Sequence, residues 1–159
     1  SEMCIRDRPH IKQGQEIIIT ALPLFHIFSF TVNCLTFLKF GSENVLIANP
    51  RDLNSFIKVL EKKKFTVITA VNTLFNLLLT SKKFRDLDFS NFKFSVGGGM
   101  AVLSDTANKW KKVTGTNITQ GYGLTETSPV VAILFSLICA AKDNVIAPFV
   151  PLLNTSNCG

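Results

Sequence analysis

Gln120-Gly121-Tyr122-Gly123-Leu124-Thr125-Glu126-Thr127-Ser128-Pro129 packs two glycines around an aromatic ring, then a hydroxyl, a carboxylate and a proline, into ten residues. Gly121 and Gly123 can take positive φ and let a ligand approach the main chain closely. Tyr122 offers a flat face on which a planar base can stack, with a hydroxyl at its tip. Thr125 offers a hydroxyl to a phosphate oxygen, and Glu126 a carboxylate suited to a hard cation such as Mg²⁺. The same letters also suit a turn that ends a strand, with Tyr122 packed and Glu126 solvated. On composition alone the turn is favoured, because loops collect glycine for geometric reasons.

The segments that lead into this stretch set the fold class. Asn117-Ile118-Thr119 reads as a short strand entering the loop. Before it, Leu103–Val113 is amphipathic, with Ala107, Trp110 and Val113 along one side and Ser104 or Asp105 as its cap. Phe94-Ser95-Val96 is a strand that runs into Gly97-Gly98-Gly99. Further upstream, Glu16–Leu22, Asn44–Ala48 and Thr66–Val71 are β-branched or apolar runs of strand length. Between them, Pro23 stops the first strand and Leu24-Phe25-His26 turns into an apolar helix reaching Phe40, with Gly41 as its stop. Asp52 caps a helix over Leu53–Lys63 with Phe56, Val59 and Leu60 on one face, and Asn72–Leu79 forms another. Phe84–Phe92 is a loop or short turn that tucks Leu87 and Phe89 inward. Strands alternating with helices of this length predict an α/β fold of parallel βαβ units. Ligands of such sheets sit at the carboxyl ends of the strands. His26, the glycine triplet and the Tyr122 loop all fall there.

A chain of 159 residues with 47% hydrophobic residues and 14 Phe has the material for a packed core rather than for disorder. The formal charge of +6 is spread over Lys62-Lys63-Lys64, Lys82-Lys83 and Lys111-Lys112, which read as solvated helix faces. No basic stripe with interleaved aromatics points to nucleic acid, so none is expected as a partner. The charge does permit peripheral association with the inner face of a membrane. Cys4, Cys34, Cys139 and Cys158 form no Cys-x-x-Cys pair, and His10 and His26 are the only histidines, which argues against structural zinc and for a reducing cytoplasm. The longest apolar runs, around Ile27–Phe40 and Val130–Ala141, fall short of the ~20 residues of a membrane span.

Tyr122-Gly-Leu-Thr-Glu-Thr-Ser-Pro129 resembles the adenine- and Mg-binding motif of the adenylate-forming enzymes, the superfamily of acyl-CoA synthetases, luciferases and peptide-synthetase adenylation domains. Ala21-Leu-Pro-Leu-Phe-His26, Asn49-Pro-Arg-Asp52, Phe65-Thr66, Val71-Asn-Thr-Leu-Phe-Asn76, Leu87-Asp-Phe-Ser90 and Gly97-Gly-Gly-Met100 occur in the order and spacing of bacterial long-chain fatty acyl-CoA synthetases. The resemblance runs from Ile17 to Val131. It implies part of the large N-terminal domain of such an enzyme, and with it ATP, Mg²⁺, a fatty acid and coenzyme A. It implies that Tyr122 stacks on adenine between the main chains of Gly121 and Gly123, that Thr125 contacts phosphate, and that Glu126 holds Mg²⁺. The turn Gly97-Gly98-Gly99 would let the backbone approach adenine and the acyl chain. Taken alone it is a tight strand-to-helix turn, without the Gly-x-x-x-x-Gly-Lys-Ser/Thr pattern of a P-loop. His26 would sit near the carboxylate and α-phosphate; taken alone it is a core or capping histidine. Phe30 would border the acyl tunnel, and Asn72 and Thr73 would lie beside it. As structural residues, Phe30 is core and Asn72 a helix N-cap.

Ser1–Gln15 is polar and aperiodic and is expected to be a non-native leader, since Ser-Glu-Met-Cys-Ile-Arg-Asp-Arg looks like a translated sequencing adapter. Residues 132–159 depart from the family's pattern and are expected to be a divergent or frameshifted tail, leaving 16–131 as the partial AMP-binding domain. A non-catalytic nucleotide- or acyl-binding module, and a medium-chain or aryl acid ligase, are the alternatives. The family's phosphate loop, ribose-binding Asp and catalytic Lys have no counterpart in these 159 residues. Purified, the chain is therefore expected to show no ATP- and fatty-acid-dependent pyrophosphate release. A rate like that of an intact synthetase would refute this.

Overall fold

The computed structural model describes residues 11–127 and 132–134. Among these, Ile17–Thr20 (β1), Glu43–Leu46 (β2), Val67–Ala70 (β3), Phe94–Gly97 (β4) and Ile118–Tyr122 (β5) pair in parallel, and Ala132–Leu134 (β6) runs antiparallel to β5. The order across the sheet is β2-β1-β3-β4-β5-β6. The predicted parallel βαβ core is thus present. A sixth strand extends it beyond residue 131, opposite Gln120–Tyr122. Nothing in an unbroken apolar run distinguishes a strand from a buried helix, so this strand had no signal of its own.

The strands are short, and the central ones are apolar on both faces, as a covered parallel sheet requires. All four residues of β3 are buried, as are Ile18, Ile19 and Thr20 of β1. Ile19, Ile68, Ala70 and Ile118 share one core with the helices Leu53–Lys62 (α2), Asn72–Thr80 (α3), Lys82–Arg85 (α4) and Ser104–Thr114 (α5). Trp110 of α5 is fully buried and meets the rings of Phe75, Phe84 and Phe92. Leu87 and Phe89 pack inward against this core as expected. Ile18 and Val67 point to the opposite face, covered by the helix spanning residues 27–39 (α1) through Phe37 and Val32.

Several local expectations are revised. α1 is not a plain α-helix: it is α-helical over Ile27–Ser29, π-helical over Phe30–Thr36 and α-helical again over Phe37–Lys39. Its buried Ser29, Asn33 and Phe37 recur every fourth residue, which suits a turn wider than the α-helix's ~3.6 residues. The N-cap of α5 is Leu103, with no side-chain cap from Ser104 or Asp105. Asn72 is not a cap either: Val71 precedes it in the cap position, and the Asn72 side chain is engaged elsewhere. By contrast, Asp52 caps α2 by accepting from the Ser55 N–H at 3.2 Å, and Gly41 follows α1 with φ +66°. The short α4 carries Lys82-Lys83, read as a solvated helix face, and overlaps the start of the loop or short turn expected over Phe84–Phe92. The expected leader is described only from residue 11, and Cys4, His10, Cys139 and Cys158 lie outside the described residues.

At the amino edge of the sheet Glu16 is buried, accepts the Lys12 N–H at 2.7 Å and pairs with the Lys93 ammonium. Burial alone would raise its pKa. The hydrogen bonds from Lys12, Lys93 and Thr66, together with the attraction of Lys93, outweigh burial and hold the carboxyl below its usual range. A depressed folded-state pKa gives stability that is complete above the unfolded value and is lost as pH falls through the folded one. Glu16→Gln should therefore cost about 1–3 kcal/mol at neutral pH. It should also flatten the loss of stability below about pH 4, measured by urea melts across pH.

Candidate active-site cleft at the carboxyl edge of the sheet

The parallel register brings Ala70, Gly97 and Gln120 into one row, so the loops after β3, β4 and β5 leave the sheet at the same level. The segment after β1 joins them at His26. A cleft of about 220 Å³ opens there, lined by His26, Gly99, Gly121, Gly123, Thr125 and Glu126 together with Ile27, Phe28 and Leu124. Six of the expected site residues, from three separate stretches of sequence, thus share one cavity.

Each is positioned by a local cause. His26 is the N-cap of α1, its Nδ1 accepting the Phe28 N–H at 3.3 Å. In the neutral ring that places the proton on Nε2, which is left as a donor for an anionic oxygen. His26 is therefore both the capping histidine and a residue of the cleft. Thr125 and Glu126 sit on a 3₁₀ turn, Thr125–Thr127, directly after β5. Among the described residues no group of three or more His, Cys, Asp or Glu side chains stands close enough to hold a metal. Among the described residues, Glu126 is the one carboxylate lining the cleft. A Mg²⁺ ion usually takes only one or two protein carboxylates and completes its octahedron with phosphate oxygens and water, so a lone Glu126 fits such an ion.

The glycine triplet has three separate reasons. A Cβ on Gly97 would stand 2.7 Å from Val102 Cγ2, and one on Gly98 would stand 2.8 Å from Phe28 Cζ. Gly99 has φ +78°, the left-handed region, and alone of the three lines the cleft. The loop after the triplet is pinned from both sides: Gln120 Oε1 accepts the Val102 N–H at 3.2 Å and Asn72 Oδ1 accepts the Leu103 N–H at 3.1 Å. Gly121 does not use its freedom for positive φ. It lies on β5 opposite Ile133 with no positive φ, and a Cβ there would meet only ordinary contacts, 3.8 Å from Gly97 O and from Phe28 Cε2.

The other expected residues stand apart from this cavity. Tyr122 ends β5 with its ring 66% exposed, and Phe30 is 44% exposed; neither lines the cleft. Asn72 is buried and serves the glycine loop. Thr73 lines a second, mainly apolar cleft of about 340 Å³ with Leu22, Val71, Leu74 and Leu77, and Arg51 on its wall. The sequence reading missed Phe28, Leu124 and Gln120. Phe28 carried a signal only as one of many phenylalanines, because its position against Gly98 depends on two elements meeting in space.

That contact generates a prediction. Gly98→Ala should destabilise by about 1–3 kcal/mol, because the added methyl overlaps a buried ring. Phe28→Leu in the same chain should recover part of the loss. A double-mutant cycle by chemical denaturation is expected to give a coupling of about 1 kcal/mol, and strict additivity would contradict the geometry.

Comparison with known proteins bears on what the cleft is. The family profile described as AMP-binding enzyme matches residues 2–152. A long-chain-fatty-acid–CoA ligase of Escherichia coli O6:H1 is 51% identical over 125 residues, 79% of this chain and 22% of that protein. The chain thus spans about a fifth of the length of the curated relative it matches. The N-terminal domain of FACL13 from Mycobacterium tuberculosis superposes with a TM-score of 0.70 at 20% identity, over 79% of this chain and 31% of that one. The anthranilate CoA ligase AuaEII, solved with anthranoyl-AMP, superposes with a TM-score of 0.69 at 21% identity, over 77% and 24%. These structures share the α/β fold. With a family profile matched along nearly its whole length and a cleft at the carboxyl edge of a parallel sheet, this chain belongs to the AMP-binding enzymes.

Proposed function

We propose that the chain is part of an AMP-forming acid–thiol ligase that acts on long-chain fatty acids. The observation that carries this is the meeting of His26, Gly99, Gly121, Gly123, Thr125 and Glu126 in one cleft. Identity of about half to a bacterial long-chain-fatty-acid–CoA ligase supports the choice of acid. In the overall reaction a fatty carboxylate oxygen attacks the α-phosphorus of ATP, and pyrophosphate leaves. The thiol of coenzyme A then attacks the acyl carbonyl, and AMP leaves with the acyl–phosphate bonding pair.

In this reading residues 16–131 are the partial nucleotide-binding domain. The carboxylate and α-phosphate lie near His26 in the cleft. His26 Nε2–H donates to an oxygen there, reducing the repulsion between two anionic reactants. The Thr125 hydroxyl donates to phosphate. Glu126 holds Mg²⁺, which when bound neutralises phosphate charge. Gly99 and Gly121 let the nucleotide lie against the main chain, and Tyr122, exposed at the end of β5, turns its face to adenine. The acyl chain leaves past Gly98 towards Phe30 and the apolar cleft that Thr73 shares with Leu74 and Leu77, next to Asn72. Peripheral association with the inner face of a membrane is part of this proposal; no helix among the described residues is long and apolar enough to cross a bilayer.

The test is binding rather than turnover. The whole chain should bind a non-hydrolysable acyl adenylate, hexadecanoyl-sulfamoyl-adenosine, measured by calorimetry. It should bind the long-chain analogue more tightly than its octanoyl or benzoyl counterpart, and a preference for benzoyl would favour an aryl ligase. Tyr122→Ala is expected to weaken AMP binding by about 1–2 kcal/mol through the lost stack. Glu126→Gln should leave metal-free AMP binding intact while removing the gain that Mg²⁺ gives to ATP. Unchanged Mg²⁺ dependence in that variant would remove Glu126 from the metal site.

A further inference from the structure

α1 presents His26 and Phe28 to the cleft from its first turn, yet the contact that fixes α1 to the sheet lies seven residues further on. Asn33 is fully buried at the centre of the π-helical segment. Its Nδ2 donates to Thr20 Oγ1 at 2.8 Å and to Thr69 Oγ1 at 2.7 Å, spending both hydrogens on two strands that pair residue for residue at that row. The Asn33 carbonyl accepts from Asn44 Nδ2 at 2.7 Å, and Asn44 Oδ1 accepts from the Thr20 hydroxyl. One residue thus ties α1 to β1, β2 and β3 in a closed ring of hydrogen bonds.

Two features mark this as more than packing. Asn33 Oδ1 is buried without a hydrogen-bond partner, so the position keeps a polar group whose orphaned acceptor works against stability. An apolar residue would remove that orphan but would also strip the buried Thr20 and Thr69 hydroxyls of their donor. The π segment, moreover, carries Asn33 at its centre, with Ser29 and Phe37 buried four residues to either side. If α1 relaxed to regular α geometry, each turn would lose part of a residue and the first turn would rotate about the helix axis relative to the last. His26 and Phe28 would then leave Gly99 and Gly98.

We propose that Asn33 is a positioning residue for the cleft: its carboxamide, clamped between Thr20 and Thr69, sets the rotation of α1 and so places His26 and Phe28. The inference rests on the cleft being the nucleotide site only for its affinity readout. The spectroscopic readout is independent of that reading.

The experiment uses the full chain with Asn33→Leu, and with Thr69→Val as a second, nearly isosteric variant that removes one clamp if Asn33→Leu does not fold. Urea melts, the Phe28 amide and His26 ring resonances, and AMP affinity are measured on each. Expected for Asn33→Leu are a lowered denaturation midpoint from the lost bonds to Thr20 and Thr69, displaced Phe28 and His26 resonances with loss of the Nδ1-accepting signature, and AMP binding weaker by about tenfold. Thr69→Val should displace the same resonances to a smaller extent. A merely structural role would move the midpoint and leave the resonances and AMP affinity in place; that outcome overturns the proposal. If the unsubstituted chain binds no AMP while the resonances still move, positioning stands and the nucleotide reading of the cleft falls.

Discussion

The register of four parallel strands governs everything above it. Thr20 pairs with Thr69, Thr69 with Val96, and Ala70 with Gly97, which in turn faces Gln120. Because side chains alternate strictly along a strand, a slip of one residue in any of these pairings would turn Ile19 or Ile68 out of the main core and bring its neighbour in. It would also shift a loop by about 3.3 Å along the strand axis, a large distance for a cleft whose walls come from three loops. The same rows that fill the core with Ile, Val and Ala thus decide that His26, Gly99 and Gly121 stand beside one another.

Within that frame the glycine triplet works as a packing device as much as a ligand loop. Gly97 leaves room for Val102 and Ile118, Gly98 for the ring of Phe28, and only Gly99 needs its backbone freedom. Phe28 is therefore held between the ends of β4 and β5 and lines the same cavity as His26, Thr125 and Glu126. Polar and apolar lining residues come from both segments that flank the cleft. The 3₁₀ turn brings Thr125 and Glu126, with Leu124 just before it, and the start of α1 brings His26 together with Ile27 and Phe28.

What could be read from the sequence was what depends on near neighbours in the chain. Hydrophobic runs located five strands, Asp52 and Gly41 marked helix ends correctly, and the motif residues led to the right edge of the sheet. The misreadings share a cause. Ser104, Asp105 and Asn72 have the chemistry of caps, but the loop between β4 and α5 is held instead by Gln120 and Asn72 reaching across from β5 and α3. Gly121 has the freedom for positive φ and does not use it, because its place in β5, with Ile133 alongside, keeps it extended. Contacts between elements distant in sequence leave no local pattern, and Phe28 against Gly98 is the clearest case.

The π segment of α1 joins these two levels. Its sequence, Phe-Thr-Val-Asn-Cys-Leu-Thr, carries β-branched residues and an asparagine, which form regular α-helix less readily than Ala or Leu, so the cost of widening the turn is smaller there. The sheet face beneath it is polar at two points, Thr20 and Thr69, where a parallel sheet usually offers Val or Ile. A polar pair on the sheet and an asparagine above it satisfy one another at the centre of this widened segment. Local propensity permits that geometry and the buried hydrogen bonds select it. The direction in which α1 delivers its first turn to the cleft is therefore set by chemistry at its middle.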